Sequence, residues 1–147
     1  MKISRTIILT ALVLLSGCHT TSKIQTESLQ QIPAAFLGNF KDDYGSVYQI
    51  TKSEWTQDSH VRYHLLLYNK EGNYLIAKND SGNPSDRGLY SRIDVMYFEN
   101  MKPWNWGFCL TAFKAVSMRD AINTVAADRA NPRKGCNGYP FTRMKRD

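Results

Sequence analysis

The sequence lacks a hydrophobic run long enough to cross a bilayer. Its clearest apolar run, residues 7–15, falls well short of the about 20 residues that a membrane-spanning helix needs. Two positive charges, Lys2 and Arg5, precede this run. A basic segment followed by a short apolar segment is typical of a secretory signal. We therefore expect residues 1–17 to be a cleaved signal peptide.

Sequence signatures of catalysis are also missing. The chain has no Gly-x-Ser-x-Gly elbow, no His-Glu-x-x-His, no phosphate loop and no dinucleotide fingerprint. His60 and His64 lie four residues apart, but their segment predicts a strand, in which they would be separated by about 13 Å. We expect no enzyme activity, no metal and no cofactor. The sequence leaves one alternative, a Ser-His-Asp triad built from residues that are distant in sequence.

Cysteine is scarce, and each of the three cysteines has a predicted use. Leu15-Ser16-Gly17-Cys18, directly after the apolar run, resembles the lipobox of bacterial lipoproteins. The resemblance implies lipid transfer to the Cys18 thiol, cleavage before Cys18 and acylation, by palmitate or a similar chain, of the new amine. The alternative is an ordinary signal peptide with a chance cysteine. His19 follows Cys18, and the absence of Asp there implies sorting to the outer rather than the inner membrane.

The other two cysteines form an even pair in an exported chain. We expect Cys109 and Cys136 to form a disulfide, because export places them in an oxidising compartment. The alternative is a catalytic thiol, which would need an unpaired cysteine and a positioned base. Beyond the N-terminal segment, His60 and His64 are the histidines that could serve as that base.

The net charge of the chain is moderate. It is +6, and removal of the signal peptide leaves 130 residues with a charge of +4. A small cluster, Arg143, Lys145 and Arg146, lies at the C-terminus. It could contact anionic lipid headgroups or polysaccharide, but we favour a solvated terminus. The sequence has no stripe of basic residues and therefore does not predict nucleic-acid binding. The expected partners are the membrane, through the lipid, and an envelope protein or glycan.

The remaining sequence predicts a tether and one domain. Residues 18–35 are polar and aperiodic, which indicates a lipidated N-terminus and a flexible tether, and residues 36–147 form the domain. Short alternating or apolar runs predict strands at residues 36–40, 47–51, 61–68, 74–77, 89–98, 104–113 and 139–144. Such strands favour a small antiparallel sandwich or barrel.

One helix is predicted near the C-terminus. Ser117 is its expected N-cap, and Asn131-Pro132 follows its end. Its apolar stripe comprises Met118, Ala121, Ile122, Val125 and Ala126. The predicted fold class is mainly β with one C-terminal helix (α+β), with the disulfide as a staple.

The domain resembles a family of small secreted bacterial two-cysteine domains. The matching residues are 36–45, Ile50-Thr51, Trp55, 76–80, Asn83-Pro84, 88–94, Cys109, Ala121, Ala127-Asp128 and 135–138. The resemblance implies export and a bridge between the two cysteines, and it supplies no catalytic residues. This chain has Gly107-Phe108 where the family pattern has Trp-Tyr.

Four residues are candidate ligand contacts. Arg92 and Asp94 share one face of a predicted strand, where they form either a polar binding floor inside a barrel mouth or, as we favour, an ion pair. Trp104 and Trp106 also share one face of a predicted strand. They could form a stacking platform for a sugar or an acyl chain, or they could belong to the core. We expect a membrane-anchored, non-enzymatic binding or accessory module. The alternative is a periplasmic hydrolase, or an inhibitor of an envelope enzyme, that uses residues 79–94.

Overall fold

The protein is a closed antiparallel barrel of eight strands. A computed structural model describes residues 31–147. The strands are β1 Gly38–Asp42, β2 Val47–Ile50, β3 Glu54–Gln57, β4 Val61–Asn69, β5 Tyr74–Asn79, β6 Tyr90–Tyr97, β7 Trp106–Ala115 and β8 Thr142–Arg146. Each strand pairs with the next, and β8 pairs with β1 to close the barrel. The predicted fold class is thereby confirmed, and the barrel is the form that it takes.

The inside of the barrel is packed with aromatic side chains. In β1 and β2 buried positions alternate with more exposed ones, and in β3 Trp55 is the buried position, as expected for strands with one face on a core. The rings of Trp55 and Trp106 lie 6.0 Å apart, edge to face, and Phe108 lies 5.0 Å from Trp55. Tyr48 and Phe40 complete this cluster. The interior is therefore a core, comparable to that of other small barrels whose side chains fill the lumen.

The segment before β1 closes one end of the barrel. A short 3₁₀ helix, Ala34–Phe36, places the fully buried Phe36 against Tyr97 and Trp106, with ring centroids 5.1 and 4.9 Å away. Ile32 belongs to the same cluster. Ile32, within the segment for which the sequence predicts a tether, is thus packed against the barrel.

A β-bulge in β4 changes which side chains enter the core. Leu65 pairs with Ala77 and Leu67 with Ile76, so Leu66 is the extra residue. Leu67 consequently lies on the outer face of the sheet, and Tyr68 lies in the barrel. Regular alternation along the predicted strand of residues 61–68 would place Leu67 on the face of Leu65, opposite to Tyr68, and the bulge overturns that expectation.

One helix, α1 Met118–Asn123, packs on the outer face of the sheet. The Ser117 hydroxyl oxygen accepts a hydrogen bond from the Asp120 backbone N–H at 3.1 Å, which confirms the predicted N-cap. Val125 and Ala126 are exposed rather than part of the apolar stripe, so the predicted extension of the helix is wrong. No helix within residues 31–147 has the length and apolar composition needed to cross a membrane.

The helix ends early because buried charged residues bind the chain that follows it. The guanidinium of Arg92 donates to the carbonyl oxygens of Ile122 and Thr124 at 2.7 and 3.1 Å. Terminal carbonyls of a helix need partners, and this side chain supplies them. The carboxylate of Asp94 accepts the Ala127 backbone N–H at 3.3 Å, which holds the chain in an extended path along the barrel wall.

Candidate binding groove on the outer wall

Arg92 and Asp94 form the expected ion pair, but outside the barrel. Arg92 Nε lies 3.1 Å from Asp94 Oδ2, and the two side chains are 6% and 0% exposed. Their neighbours in β6, Ile93 and Val95, face the interior, so Arg92 and Asp94 face the outer wall under α1 and the segment after it. The idea of a polar floor inside a barrel mouth is therefore wrong.

The surroundings of Asp94 leave no room for a substrate. Its carboxylate accepts hydrogen bonds from Arg92, Arg129, the Thr111 hydroxyl and the Ala127 backbone N–H. The ring of Tyr74 stacks on the Arg92 guanidinium at 3.9 Å. Every donor is committed to holding protein segments together, and no histidine is among the partners within the described part of the chain. The combination of Arg92, Asp94 and a histidine within hydrogen-bond reach, which would favour a hydrolase, is therefore not formed among the described residues.

His60 and His64 lie elsewhere and are exposed. His64 Nε2 is 2.7 Å from Asp80 Oδ2, and its Nδ1 is 3.9 Å from Glu54. His60 bonds the Asp58 carbonyl oxygen from a turn outside the strand. The pKa of Asp80 is lowered, first by the Gly82 backbone N–H and then by the His64 ring. These contacts fasten the loop after β5 to β4.

The loop of residues 79–87 is held by its own amide groups. Asn83 pairs with the backbone of Arg62 in both directions, at 2.8 Å each. Asn79 donates to the carbonyl oxygens of Asp86 and Phe113 and accepts from Ser91. Within residues 31–147 no group of three or more His, Cys, Asp or Glu side chains is placed to hold a metal ion.

One polar group inside the barrel, the Tyr48 hydroxyl, is also paired. The Tyr48 hydroxyl donates to the Asp42 carboxylate at 2.7 Å. Burial, followed by this contact with a carboxylate, raises the pKa of Tyr48 far above its usual value. The phenol therefore stays a neutral donor near neutral pH and does not act as a base.

Of the other predicted residues, the two remaining cysteines are bonded. Cys109 and Cys136 form a disulfide with a Cα separation of 5.4 Å, as expected. It ties β7 to the turn before β8, and both sulfurs are consumed, so neither serves as a catalytic thiol while the bridge is intact. Cys18 lies outside the described residues.

The two tryptophans do not share a strand face, which corrects that prediction. Trp106 begins β7 and is 2% exposed in the core, with its Nε1 group lacking a hydrogen-bond partner among the described residues. Trp104 precedes the strand and lies in a turn. Its backbone N–H donates to the Met101 carbonyl oxygen at 2.9 Å. Two cations contact the Trp104 ring: Arg143 at 5.5 Å and Lys145 at 5.1 Å. The C-terminal basic cluster thus lies in β8, where Arg146 is exposed to solvent.

Next to these cations, a groove runs along the outer wall. It has a volume of about 380 Å³, within the range typical of ligand sites. Three segments form its walls: the turn between β1 and β2, the connection between β6 and β7, and the segment before β8. The lining residues are Asp43, Tyr44, Phe98, Met101, Pro132, Arg133, Pro140, Phe141 and Arg143.

The charges in the groove differ from the buried charges around Asp94. Arg133 is exposed and, within residues 31–147, makes no hydrogen bond or ion pair. Arg143 uses Nε to bond Asp43 at 2.7 Å, and its two terminal nitrogens have no hydrogen-bond partner in the same range. Sequence reasoning missed Tyr44, Met101 and Arg133, because turns distant in sequence bring them together.

No protein-family model, curated protein or solved structure matches the chain. Function has to be inferred from the chemistry of the barrel and of its surface.

Proposed function

We propose that the chain is a cell-envelope lipoprotein, anchored by lipid on Cys18, whose barrel works as a non-enzymatic binding module. The observation that carries the proposal is the groove, where Arg133 and the terminal nitrogens of Arg143 have no hydrogen-bond partner in the described part of the chain and lie beside apolar walls. Donors that are left free at a concave surface are suited to binding a ligand rather than to holding the fold. The aromatic interior supports the same view, because it leaves the outer surface as the place for contacts.

Anchoring through Cys18 is tested by metabolic labelling. Full-length protein in a Gram-negative host should incorporate labelled palmitate, and Cys18→Ser should abolish the label. The matched control is the double variant Cys109→Ser/Cys136→Ser, which removes the other two cysteines and should keep the label. Palmitate incorporation by Cys18→Ser at the wild-type level would overturn the anchor.

Outer-membrane sorting is tested at the next residue. Density fractionation should place the wild-type protein with outer-membrane markers, because His19 follows the lipidated cysteine. His19→Asp should move the protein to the inner-membrane fraction. If the wild-type protein sediments with inner-membrane markers, the proposed location is wrong even if the lipid is attached.

A further inference from the structure

We propose that the outer-wall groove binds a carboxylated polysaccharide strand. This inference rests on the proposed binding function and names its ligand class. Four residues give the groove its character: the cations Arg133 and Arg143 and the exposed side chains of Tyr44 and Met101.

The charges of the groove favour an anionic ligand. Arg133 and the terminal nitrogens of Arg143 offer hydrogen-bond donors in a planar arrangement that matches a carboxylate. Asp43 also lines the groove, but its carboxylate accepts from the backbone N–H and Nε of Arg143 at 3.2 and 2.7 Å. It therefore fixes Arg143 in place, and Arg133 remains as a positive charge without a partner among residues 31–147. Lys145, on the Trp104 ring beside Arg143, adds to the positive charge of this wall.

The apolar walls favour a ligand that has flat carbon surfaces between its charges. Tyr44 is 71% exposed and Met101 38% exposed, and Phe98 and Phe141 line the same groove. The C–H faces of a sugar ring pack on aromatic rings, while its carboxylate reaches a neighbouring guanidinium. A polymer of acidic sugars presents both features at each repeat, which a small inorganic anion does not.

The shape and extent of the groove favour a polymer strand over a lipid surface. The groove is concave, whereas contact with a bilayer needs a protruding surface. Its wall at Asp43 and Tyr44 follows β1, while the segment of residues 32–36 that leads to the anchor precedes β1. The groove thus extends along the wall between the two barrel ends, because its other wall, at Phe98 and Met101, follows β6 at the end where Phe36 packs on Tyr97.

The test measures polysaccharide binding by the full-length protein in detergent. A fluorescently end-labelled oligogalacturonate is titrated with protein, and polarisation is followed. Wild-type protein should bind the oligogalacturonate, and its affinity should fall at high salt. It should not bind an uncharged dextran oligomer. Arg133→Gln should weaken binding by about tenfold, the value expected for one charge-assisted hydrogen bond. Tyr44→Ala should weaken it severalfold.

A matched variant controls for net charge. Arg119→Gln removes one exposed arginine from α1, which does not line the groove, and should leave the affinity unchanged. Equal losses in Arg119→Gln and Arg133→Gln would mean nonspecific attraction to a basic protein and would overturn the proposal. Absence of oligogalacturonate binding by the wild-type protein would also overturn it.

A second probe separates a glycan from a lipid headgroup. Glycerophosphoglycerol, the soluble headgroup of phosphatidylglycerol, is titrated in parallel. If the headgroup binds and depends on Arg133 while the oligogalacturonate does not bind, the groove recognises anionic lipid and the glycan proposal fails. Palmitate labelling is scored separately, so a failure of ligand binding with an intact anchor refutes the ligand class alone. Loss of the anchor with preserved binding refutes the location alone.

Discussion

Arg129 and Asp94, which are 35 positions apart in sequence, form an ion pair on the outer wall of the barrel. Arg129 Nη2 lies 3.0 Å from Asp94 Oδ1, and the same nitrogen bonds the carbonyl oxygens of Gly72 and Asn73 at 2.9 and 2.8 Å. This arginine therefore joins the segment after α1 to β6 and to the turn between β4 and β5. Asp94 is fully buried, and a buried charge of this kind needs such partners.

Replacing Asp94 should be among the most damaging changes in the domain. Asp94→Asn removes the negative charge but keeps the size of the side chain, which leaves Arg92 and Arg129 without their counter-charge. Breaking a buried ion pair by removing one partner costs roughly 3–5 kcal/mol. Urea unfolding should show a loss of this size in the free energy of unfolding.

The control for this change is Glu99→Gln. Glu99 is exposed and has no partner among residues 31–147, so the same chemical change there should alter the free energy of unfolding by about 0.5 kcal/mol or less. A loss in Asp94→Asn as small as that of the control would show that the network around Asp94 does not hold the outer segment.

A small antiparallel sandwich or barrel could be predicted from sequence because the strands alternate and the turns carry polar residues and glycine, but the choice between the two forms could not. The bulge at Leu66 could not, because nothing in the pattern of residues 61–68 distinguishes it from regular alternation. The strand β3 was missed since it has four residues with one large apolar side chain, Trp55. The end of α1 was missed because Arg92, about 30 positions away, determines it.

The second prediction concerns Gly135, where two backbone segments come too close for a side chain. A Cβ at this position would lie 1.9 Å from the Asp128 carbonyl oxygen and 2.7 Å from that of Asn131. Gly135→Ala should therefore force the loop of residues 128–135 open and lower the free energy of unfolding by about 1–3 kcal/mol. Because this loop carries Arg133, oligogalacturonate binding should weaken in the same variant.

A glycine with more space provides the comparison. At Gly82 an added Cβ would meet a flexible side-chain atom, Asp80 Oδ1, at 3.0 Å. Gly82→Ala should lower the melting temperature less than Gly135→Ala does. Equal melting temperatures for wild type and Gly135→Ala would show that the loop accommodates the added methyl group without loss of stability.

The candidate site could be predicted from sequence only in part. The pattern identified the residues of the disulfide and of the Arg92–Asp94 pair, since both depend on residue types that need a partner. It did not identify the groove, because Tyr44, Met101 and Arg133 come from three turns that only the closed barrel brings together. Single exposed side chains in turns carry no sequence signal of their shared location.

The third prediction uses the lowered pKa of Asp80. The Gly82 backbone N–H donates to Asp80 Oδ1 at 2.7 Å and is the larger cause, followed by the His64 ring on Oδ2. A carboxyl whose pKa is lower in the folded state stabilises that state above its unfolded pKa, and this contribution is lost as the pH falls through the folded pKa. In a carbon NMR titration the Asp80 midpoint should lie below its ordinary value.

Changing the histidine separates the two causes. In His64→Ala the Asp80 midpoint should rise only part of the way to its ordinary value, because the Gly82 hydrogen bond remains. His60→Ala is the matched control, since His60 bonds the Asp58 carbonyl oxygen instead. An Asp80 midpoint that does not move in His64→Ala, or that moves as much in His60→Ala, would disprove the contact in solution.

The last prediction concerns the bridge between Cys109 and Cys136, which closes a sequence separation of 27. Cys109 lies 1% exposed on the outer face of β7, against Ala127 and Phe141, so the bridge and these contacts hold the same outer segment. Replacing both cysteines with alanine should lower the free energy of unfolding by roughly 2–5 kcal/mol, since the unfolded chain gains freedom. Local opening should come first, as protease cleavage within residues 114–135. Thiol labelling of the denatured, unreduced wild-type protein is the direct check, and reaction of both cysteines would mean that the bridge is absent.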